Sequence, residues 1–399
     1  MGEPEFSGRT SVRGREWKMR SVPEGFVAPP QVHPSAVRVA AARGFDLDGF
    51  FNPKIKTEMP DPYALKGMRE AVGAFCRAVK DGRNIALYGD YDVDGATSTA
   101  LVARWLKAAT GNAVNFYIPD RMKEGYGLND GAIRSLHADG TEFLLVLDSG
   151  TTAHGPLGLA VELGLEVVML DHHEPDDRDP PGVLVNPKRR DEDRRYDYLC
   201  TAGLAFLFLV GVNRELRSCG WFGEGRKEPD LKQWLGIVAL GTVADMVPLV
   251  GLNRAYVTTG LKAMHAVPGL AALNEANGDC GFNANTCGFV FGPCINASGR
   301  IGNTRTGVHL LADDDMDSVR GIAQVLVETN KERQDIQKAA LDRAMEEAKA
   351  SNDPVVVLHD PEWHPGVVGL VASRIKDALD RSAVVVGMGG AGSCRAVDG

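Results

Sequence analysis

The stretch that decides the fold reads Asn84-Ile85-Ala86-Leu87-Tyr88-Gly89-Asp90-Tyr91-Asp92-Val93-Asp94-Gly95. It is an apolar run that ends in three closely spaced aspartates. Buried strands of parallel α/β sheets are apolar along their whole length, and their carboxyl ends open onto the ligand crevice. The stretch therefore predicts a buried parallel strand that delivers carboxylates to a functional site.

Apolar runs followed by acidic residues or histidines recur further along the chain. Phe143 to Leu147 leads to Asp148, Val167 to Leu170 leads to Asp171-His172-His173, and Ile237 to Leu240 precedes Asp245. Carboxylates that converge at one sheet edge repel one another, and a pair of divalent cations would remove that repulsion. We therefore expect strand-like runs whose ends together form a metal site.

Composition narrows the class of protein. The chain has 399 residues, 44 Lys and Arg against 53 Asp and Glu, and a net charge of −9. This charge argues against a protein that coats DNA without specificity, although a local basic groove still allows nucleic acid to bind. The seven scattered cysteines are typical of reduced thiols. The longest apolar stretch, Leu199 to Val212, is too short to span a bilayer, and the N-terminus lacks a signal core. We expect a soluble cytoplasmic protein.

The order of patterns along the chain predicts an α/β fold with a mainly parallel sheet. Residues 1–35 are expected to be a flexible N-terminal segment, and residues 36–82 to be helical with a break at Pro60 and Pro62. Strands and helices then alternate up to about residue 250. We predict strands at 84–88, 113–118, 143–147 and 166–170, and helices at 96–108, 130–138, 155–163, 200–215 and 230–241.

The last quarter of the chain predicts a second unit. Residues 313–350 carry apolar side chains near helical spacing among many charges, which indicates a long, mostly solvated connecting helix. A strand at 354–358, a helix at 367–379 and a strand at 383–387 follow, and this α/β unit looks incomplete at Gly399. The predicted divisions are 1–35, 36–312, 313–350 and 351–399.

The acidic clusters have competing interpretations. In an extended segment Asp90, Asp92 and Asp94 would point the same way, and their hard oxygens suit Mg²⁺ or Mn²⁺. A calcium loop would need Glu at its twelfth position, which here is Leu101. Asp148 would either bridge two ions or cap a helix. A buried lone carboxylate at Asp245 is costly unless it is paired or bound to metal.

Two histidines and two small-residue segments complete the candidates. One of His172 and His173 would bind metal while the other faces a phosphate, unless both simply lie on the surface. Phe291 to Arg300, with Asn296 and Arg300, predicts a loop that offers N–H groups and a guanidinium to a phosphate. Gly389 to Arg395 has the same character. Each segment alone is a weak signal, because glycine-rich turns are common.

Taken together and in this order, the motifs resemble those of the DHH phosphoesterase superfamily and, within it, the RecJ-like single-strand-specific 5′→3′ DNA exonucleases. The likeness extends from about residue 15 to the end of the chain. The motifs that carry it are GDYDVDGATST from Gly89, VLDSG from Val146, DHHEP from Asp171, CTAGLAF from Cys200, LGTVADMVPL from Leu240 and INASGR from Ile295.

The resemblance implies a two-metal exonuclease that degrades single-stranded DNA to mononucleotides in DNA repair and recombination. One Mn²⁺ or Mg²⁺ would be held by Asp92, Asp148, His172 and Asp245, and a second by Asp90 and Asp148, with Asp94 in support. The second histidine, His173, would contact the scissile phosphate. The remaining substrate contacts would be Asn296, Arg300, Ser393 and Arg395, the last two in a DHHA1 substrate-binding domain.

The resemblance also implies partners and leaves alternatives open. It implies a monomer that acts at 5′ ends, with a single-strand-binding protein or a RecQ-type helicase as candidate partners. Ala86 stands where several superfamily members have a metal-binding histidine, Cys294 where RecJ-like proteins usually have arginine, and Cys394 where they usually have glycine. A phosphodiesterase for short oligonucleotides or cyclic dinucleotides is one alternative. A non-catalytic replication scaffold is another.

Overall fold

A computed structural model of the chain describes residues 9–397, apart from residues 13, 19, 23–28, 113, 126 and 224. The predicted flexible segment, residues 1–35, therefore lies partly outside the described residues. The strands are β1 Ile85–Gly89, β2 Asn115–Tyr117, β3 Phe143–Leu147, β4 Glu166–Leu170, β5 Val183–Val185, β6 Val355–His359, β7 Ser382–Val386 and β8 Gly392–Arg395. 

The helices alternate with the strands in the first half of the chain and dominate its middle. They are α1 Pro34–Ala42, α2 Leu47–Phe51, α3 Ile55–Glu58, α4 Met68–Lys80, α5 Val93–Thr110, α6 Arg121–Glu124, α7 Asp130–Ala138, α8 His154–Glu162, α9 Thr201–Ser218, α10 Leu235–Ala244, α11 Gly251–Ala263, α12 Pro268–Ala276, α13 Ala284–Thr286, α14 Gly292–Ile301, α15 Thr306–Ala312, α16 Met316–Ala350 and α17 Pro365–Leu379. None of the described helices is both long enough and apolar enough to cross a membrane.

The main sheet is parallel throughout, in the order β2-β1-β3-β4-β5. Alternate side chains of its strands enter two apolar clusters: Leu145 packs on the face covered by α4, α5 and α9, and Leu144 on the face covered by α7 and α8. A strand that is buried on both faces must be apolar at every position, which explains the unbroken run of β3. The predicted α/β class with a mainly parallel sheet is confirmed.

Strand register sets the position of the acidic residues. Gly89 pairs with Leu147, and Leu147 pairs with Leu170. The next residues, Asp90, Asp148 and Asp171, therefore follow three adjacent strands at the same sheet edge. This is the edge at which ligands bind in open α/β sheets.

The grouping of Ile237 to Leu240 with the strand-like runs is wrong, whereas the helix predicted at 230–241 is confirmed. The run lies inside α10, so Asp245 reaches the sheet edge from the end of a helix. Phe291 to Arg300 is not a loop: a π-helical segment at Cys287–Phe291 continues directly into α14. The short strand β5 and the helices between residues 251 and 312 were not predicted.

The long helix α16 joins two apolar cores. Its first half contributes Val319 and Leu326 to the core of the parallel sheet, and its second half contributes Ala344 and Ala348 to a smaller core. That smaller core packs α16 and α17 against a sheet in which β6 pairs parallel with β7 and β7 pairs antiparallel with β8. The predicted connecting helix is thus present. Gly389 to Arg395, expected as a loop, mostly forms β8.

Candidate metal centre and phosphate cleft

The first acidic cluster consists of Asp90, Asp92 and Asp148, which each offer an oxygen within 4.8 Å of the others. Asp90 directly follows β1 and is 3% exposed. Asp92 is the N-cap of α5, because its Oδ1 accepts hydrogen bonds from the backbone N–H groups of Asp94 at 2.9 Å and Gly95 at 3.0 Å. The strand end and the helix start thus fix the two carboxylates on either side of one turn.

Asp148 lies at the centre of the site. Its backbone φ of +62° is in the left-handed region, where aspartate is one of the few side-chain-bearing residues found with any frequency. This conformation turns the chain sharply after β3. The hydroxyl of Thr201, the first residue of α9, donates to Oδ1 of Asp148 at 2.9 Å. Asp148 therefore follows the end of β3 and is also held by the first residue of α9.

The second cluster surrounds Nε2 of His172. This atom lies 3.5 Å from Oδ1 of Asp148 and 3.6 Å from Oδ2 of Asp245. It also lies 3.8 Å from Oδ2 of Asp94. His172 follows β4 and Asp245 caps α10, so a strand end and a helix end meet here. The two clusters touch through Asp148, which is the arrangement expected of a carboxylate that bridges two ions.

Asp94 does not point the same way as Asp90 and Asp92, so the expectation drawn from an extended segment is wrong. It sits in the first turn of α5, where its oxygens accept hydrogen bonds from the N–H groups of Thr201 at 2.6 Å and Ala202 at 2.8 Å. A carboxylate at the first turn of α9 also interacts favourably with that helix's dipole. Asp94 thereby holds α9 in the place from which Thr201 contacts Asp148.

The carboxylates are crowded enough to perturb their titration. Burial and the neighbouring Asp92 raise the pKa of Asp90 to about 7. Burial and Asp94 raise the pKa of Asp245 to about 8. Burial also raises the pKa of Asp148 well above its usual value. In addition, Oδ1 of Asp90 and Oδ2 of Asp245 are buried without a hydrogen-bond partner among the described residues. Charge repulsion and unpartnered oxygens are both relieved by divalent cations, so the residues fit Mn²⁺ or Mg²⁺.

Asp171 organises the two histidines. Its Oδ1 accepts hydrogen bonds from Nδ1 of His173 at 2.7 Å and from the backbone N–H of His172 at 2.7 Å. The hydrogen bond that His173 donates to Asp171 raises the pKa of His173 to about 9, so the ring is protonated at neutral pH. Burial alone would raise the pKa of Asp171, but the hydrogen bond and positive charge of His173, together with hydrogen bonds from Thr151, outweigh burial and lower the pKa. Asp171 belongs to the motif that begins DHHEP, and the sequence alone assigns it no role.

A cleft with a volume of about 590 Å³ lies between the two units. Arg300 on α14 and Arg121 on α6 line one side, and Ser393 and Arg395 on β8 line the other. Nη1 of Arg395 donates to Oγ of Ser393 at 2.9 Å, and Nη1 of Arg300 donates to the carbonyl of Gly366 at 3.2 Å. Three guanidinium groups in one cleft predict an anion site, because arginine pairs with phosphate through several donors.

The cleft brings together three of the four substrate-contact residues predicted from sequence. Asn296, the fourth, is half-buried one turn before Arg300 on α14 and is not among the residues that line the cleft. Arg121 was missed, because no motif surrounds it. Its guanidinium lies 5.2 Å from the ring centroid of Tyr91, inside the aspartate motif, which links the cleft to the metal centre.

Comparisons with known proteins identify relatives of this chain. Residues 84–242 match the family described as "DHH family, N-terminal domain". The single-stranded-DNA-specific exonuclease RecJ of Escherichia coli (strain K12) is 34% identical over 95% of this chain and 68% of its own length. The exonuclease of the same name from Dickeya dadantii (strain 3937) is 36% identical over 82% of this chain and 59% of its own length.

A solved structure extends the likeness to three dimensions. The crystal structure of an exonuclease RecJ bound to manganese superposes with a TM-score of 0.75 at 36% identity. The match covers 86% of this chain and 84% of that one. The chain spans 59% and 68% of the two relatives compared above, so their whole lengths are not represented here.

Proposed function

The chain belongs to the RecJ family of single-stranded-DNA-specific exonucleases, and on that premise we propose that it is a metal-dependent exonuclease that hydrolyses single-stranded DNA from the 5′ end to mononucleotides. The observation that carries the proposal is the pair of ligand clusters joined through Asp148, beside a cleft lined by Arg121, Arg300 and Arg395. The clusters supply the chemistry of phosphodiester hydrolysis, and the cleft supplies a site for a phosphate.

We propose two Mn²⁺ or Mg²⁺ ions, held by Asp90, Asp92, Asp148, His172 and Asp245. The fit rests on the donor set, on the raised pKa values of Asp90 and Asp245, and on their unpartnered oxygens. When bound, such ions lower the pKa of a water and neutralise charge on a phosphate. Asp94 supports the site through α9. Asp92 lies with Asp90 and not with His172. Which ligands hold which of the two ions is therefore still a prediction.

The protein's own residues position and polarise the substrate. His173, which stays protonated through its hydrogen bond to Asp171, would donate to a non-bridging oxygen of the scissile phosphate. As charge grows on that oxygen in the transition state, the hydrogen bond strengthens and lowers the barrier. Arg300 is half-buried, and a guanidinium that has already lost part of its water binds a phosphate with less further desolvation.

The cleft would set the direction of digestion. A terminal 5′ phosphate carries more charge than an internal diester, so a pocket with Arg121, Arg300 and Arg395 binds a phosphorylated end in preference to the middle of a strand. The same pocket includes Gly366 in the first turn of α17, where the helix dipole favours an anion. A strand held by its 5′ end would present its first internucleotide linkage to the metal centre.

We also propose the remaining expectations about domains, location and partners. Residues 36–312 would form the DHH catalytic domain, 313–350 the connecting helix and 351–399 part of a DHHA1 substrate-binding domain. The protein would act in the cytoplasm as a monomer in DNA repair and recombination, with a single-strand-binding protein or a RecQ-type helicase as partner. These proposals rest on the family to which the chain belongs.

A comparison of substrates tests the function. We expect Mn²⁺-dependent release of mononucleotides from a 5′-phosphorylated 30-mer, and loss of this activity in Asp148→Ala. Thr141→Val, a buried substitution remote from the clusters, serves as the control. Unchanged nuclease activity in Asp148→Ala would contradict the proposed mechanism. Hydrolysis of dinucleotides but not of the 30-mer would instead indicate the short-oligonucleotide phosphodiesterase, and a purified protein that binds no metal would indicate a scaffold.

A further inference from the structure

A second groove, with a volume of about 620 Å³, lies between the π-helical segment Cys287–Phe291, α16 and α17. Its wall combines one aromatic ring, three cations and two amides, contributed by Phe289, Arg333, Gln334, Gln337, Lys338 and Arg374. None of the described residues that line it is acidic. We call it the Phe289 groove. A wall of this composition is unusual in a chain whose net charge is −9.

Phe289 is displayed to solvent by the local backbone. Its side chain is 77% exposed, whereas Cys287 and Phe291 in the same π-helical segment are buried. The ring makes no aromatic contact among the residues that the structure describes. Single π-helical turns are rare and often mark functional sites. The exposed ring therefore has a face available for stacking.

The three cations are free to bind an anion. Nη1 of Arg333 donates to Oε1 of Gln337 at 2.6 Å, and Nη2 donates to Oδ1 of Asn330 at 2.5 Å, both neutral acceptors. Within the described part of the chain, neither Lys338 nor Arg374 lies within 4.0 Å of a carboxylate, and Arg333 does not either. Arg333 and Lys338 project from α16 and Arg374 from α17, so the positive charges face each other across the groove.

The groove adjoins the candidate metal centre. A β-carbon placed on Gly288 would lie 3.6 Å from Cγ1 of Val243, and one on Gly292 would lie 3.4 Å from Cβ of Ala244. The π-helical segment therefore packs on the last turn of α10, which ends at Asp245. The pKa of Arg300 is lowered first by burial and then by the positive charges of Arg121 and Arg333. Arg333, in the groove, therefore lies close enough to Arg300, in the phosphate cleft, for their charges to interact.

We propose that the Phe289 groove binds single-stranded DNA beyond the nucleotides held at the metal centre. A base would stack on Phe289, and flanking phosphates would contact Arg333, Lys338 and Arg374. This inference rests on the proposed function and adds a second substrate contact region to it. Phe289 precedes Arg300 by 11 residues of nearly continuous helix, or roughly 16 Å, so only a strand of several nucleotides reaches both.

The composition favours a single strand over other occupants. Unpaired bases expose a π-face that stacks on aromatic side chains, and cations alongside hold the backbone without reading its sequence. A duplex keeps its bases stacked on one another and has no face to offer Phe289. An acidic protein segment would use the cations but would have no need of a flat ring, and it becomes one outcome of the test.

Binding of a labelled oligonucleotide tests the proposal. We would measure fluorescence anisotropy with a 5′-phosphorylated thymidine 12-mer in EDTA, so that no cleavage occurs. Phe289→Ala is expected to weaken binding roughly 10-fold, and Phe289→Trp to keep it, because stacking contributes most of the contact. Lys338→Gln and Arg374→Gln should each weaken binding and reduce the dependence of log K on log salt by about 0.7.

Matched controls separate this effect from changes in stability or chemistry. Val161→Ala removes another exposed apolar side chain, and Lys349→Gln removes another exposed cation from α16; neither lines the groove, and both should bind as the wild type does. Mn²⁺-dependent hydrolysis of a dinucleotide should be unchanged in Phe289→Ala, because a dinucleotide does not reach the ring.

Each other result overturns the proposal. If Phe289→Ala binds the 12-mer as the wild type does, the groove serves another partner, such as an acidic protein segment. If Phe289→Trp binds as weakly as Phe289→Ala, or if dinucleotide hydrolysis falls in parallel, Phe289 acts through the fold. A wild-type protein that neither binds nor cleaves single-stranded DNA would overturn the proposed function itself, and this would be evident before any variant is compared.

Discussion

Asp171 accepts a hydrogen bond of 2.7 Å from Nδ1 of His173, and the buried carboxylate holds the imidazole in its protonated form. Nδ1 donates to Asp171, and in the proposed mechanism Nε2 would donate to the substrate phosphate. The same Oδ1 of Asp171 accepts the backbone N–H of His172, so one carboxylate orients both histidines. Asp171, which lies outside the proposed ligand set, thus controls the charge and orientation of His173.

The substitution Asp171→Asn tests this relationship. Without the carboxylate, the pKa of His173 should fall from about 9 towards 6.5, its ordinary value. The protonated fraction at pH 8 then drops about 30-fold, whereas at pH 6 most rings stay protonated. Exonuclease activity should therefore fall far more at pH 8 than at pH 6, as measured in a pH–rate profile. Asp176→Asn, which removes the exposed partner of His154, is the control. An equal loss at every pH would indicate a purely structural role.

Thermal stability without metal should decrease as pH rises. The pKa values of Asp90 and Asp245 are raised in the folded state to about 7 and about 8, above the unfolded value of 3.8. Between these limits the folded protein binds more protons than the unfolded one, so the free energy of unfolding falls as pH rises from about 4 to 8. Melting temperatures in EDTA across this range check the expectation.

Addition of Mn²⁺ should reverse that trend, because the ion binds the deprotonated carboxylates. The rise in melting temperature on adding Mn²⁺ is therefore expected to be larger at pH 8 than at pH 6. Asp245→Asn should raise the melting temperature in EDTA at pH 8 and diminish the response to Mn²⁺. A response to Mn²⁺ that is the same at both pH values would contradict a site made of these carboxylates.

Thr201→Val tests how the metal centre is supported. The substitution keeps the shape of the side chain but removes the 2.9 Å hydrogen bond to Oδ1 of Asp148. Loss of a partner to a metal ligand typically weakens metal affinity about 10- to 100-fold. Calorimetric titration with Mn²⁺ measures the effect. Thr141→Val, also buried but remote from the clusters, should bind Mn²⁺ as the wild type does. Unchanged affinity in Thr201→Val would show that Thr201 does not support the metal site.

Arg395→Gln tests recognition of the 5′ end. A hydrogen bond between a guanidinium and a phosphate contributes about 1.5–3 kcal/mol, so its loss should reduce the preference for a 5′-phosphorylated over a 5′-hydroxyl substrate roughly 10- to 150-fold. The ratio of kcat/KM for the two substrates is the measurement. Arg190→Gln, which removes an exposed arginine paired with Asp177, is the control. If the variant loses activity on both substrates equally, Arg395 does not read the terminal phosphate.

The local sequence predicted secondary structure correctly where the burial of a single element determines its pattern of residues. The strand β3 was predicted because burial on both faces requires an unbroken apolar run. The run Ile237 to Leu240 fits a strand or a helix equally well, because α10 is buried on nearly all sides and its helical periodicity does not appear in the sequence. Length and flanking residues, rather than polarity, separate the two cases.

Small residues misled in a different way. Between Phe291 and Arg300 they were read as a loop, but they allow α14 to pack closely. A β-carbon on Gly299 would lie 3.0 Å from the backbone oxygen of Tyr91. The glycine therefore lets the helix approach the aspartate motif, and the distance that requires it exists only in the folded chain.

The sequence by itself determined the acidic and histidine residues at the strand ends, because β1, β3 and β4 are recognisable singly and parallel strands present the same end to one edge. Only the tertiary structure decided that Asp245 comes within 3.6 Å of His172, and that Arg121 and Arg395 meet across a cleft. The physical reason is the separation in sequence of the residues that interact. Strand polarity is set by neighbouring residues, whereas the meeting of elements far apart in sequence depends on how α10, α14 and α16 pack, and no local pattern encodes that.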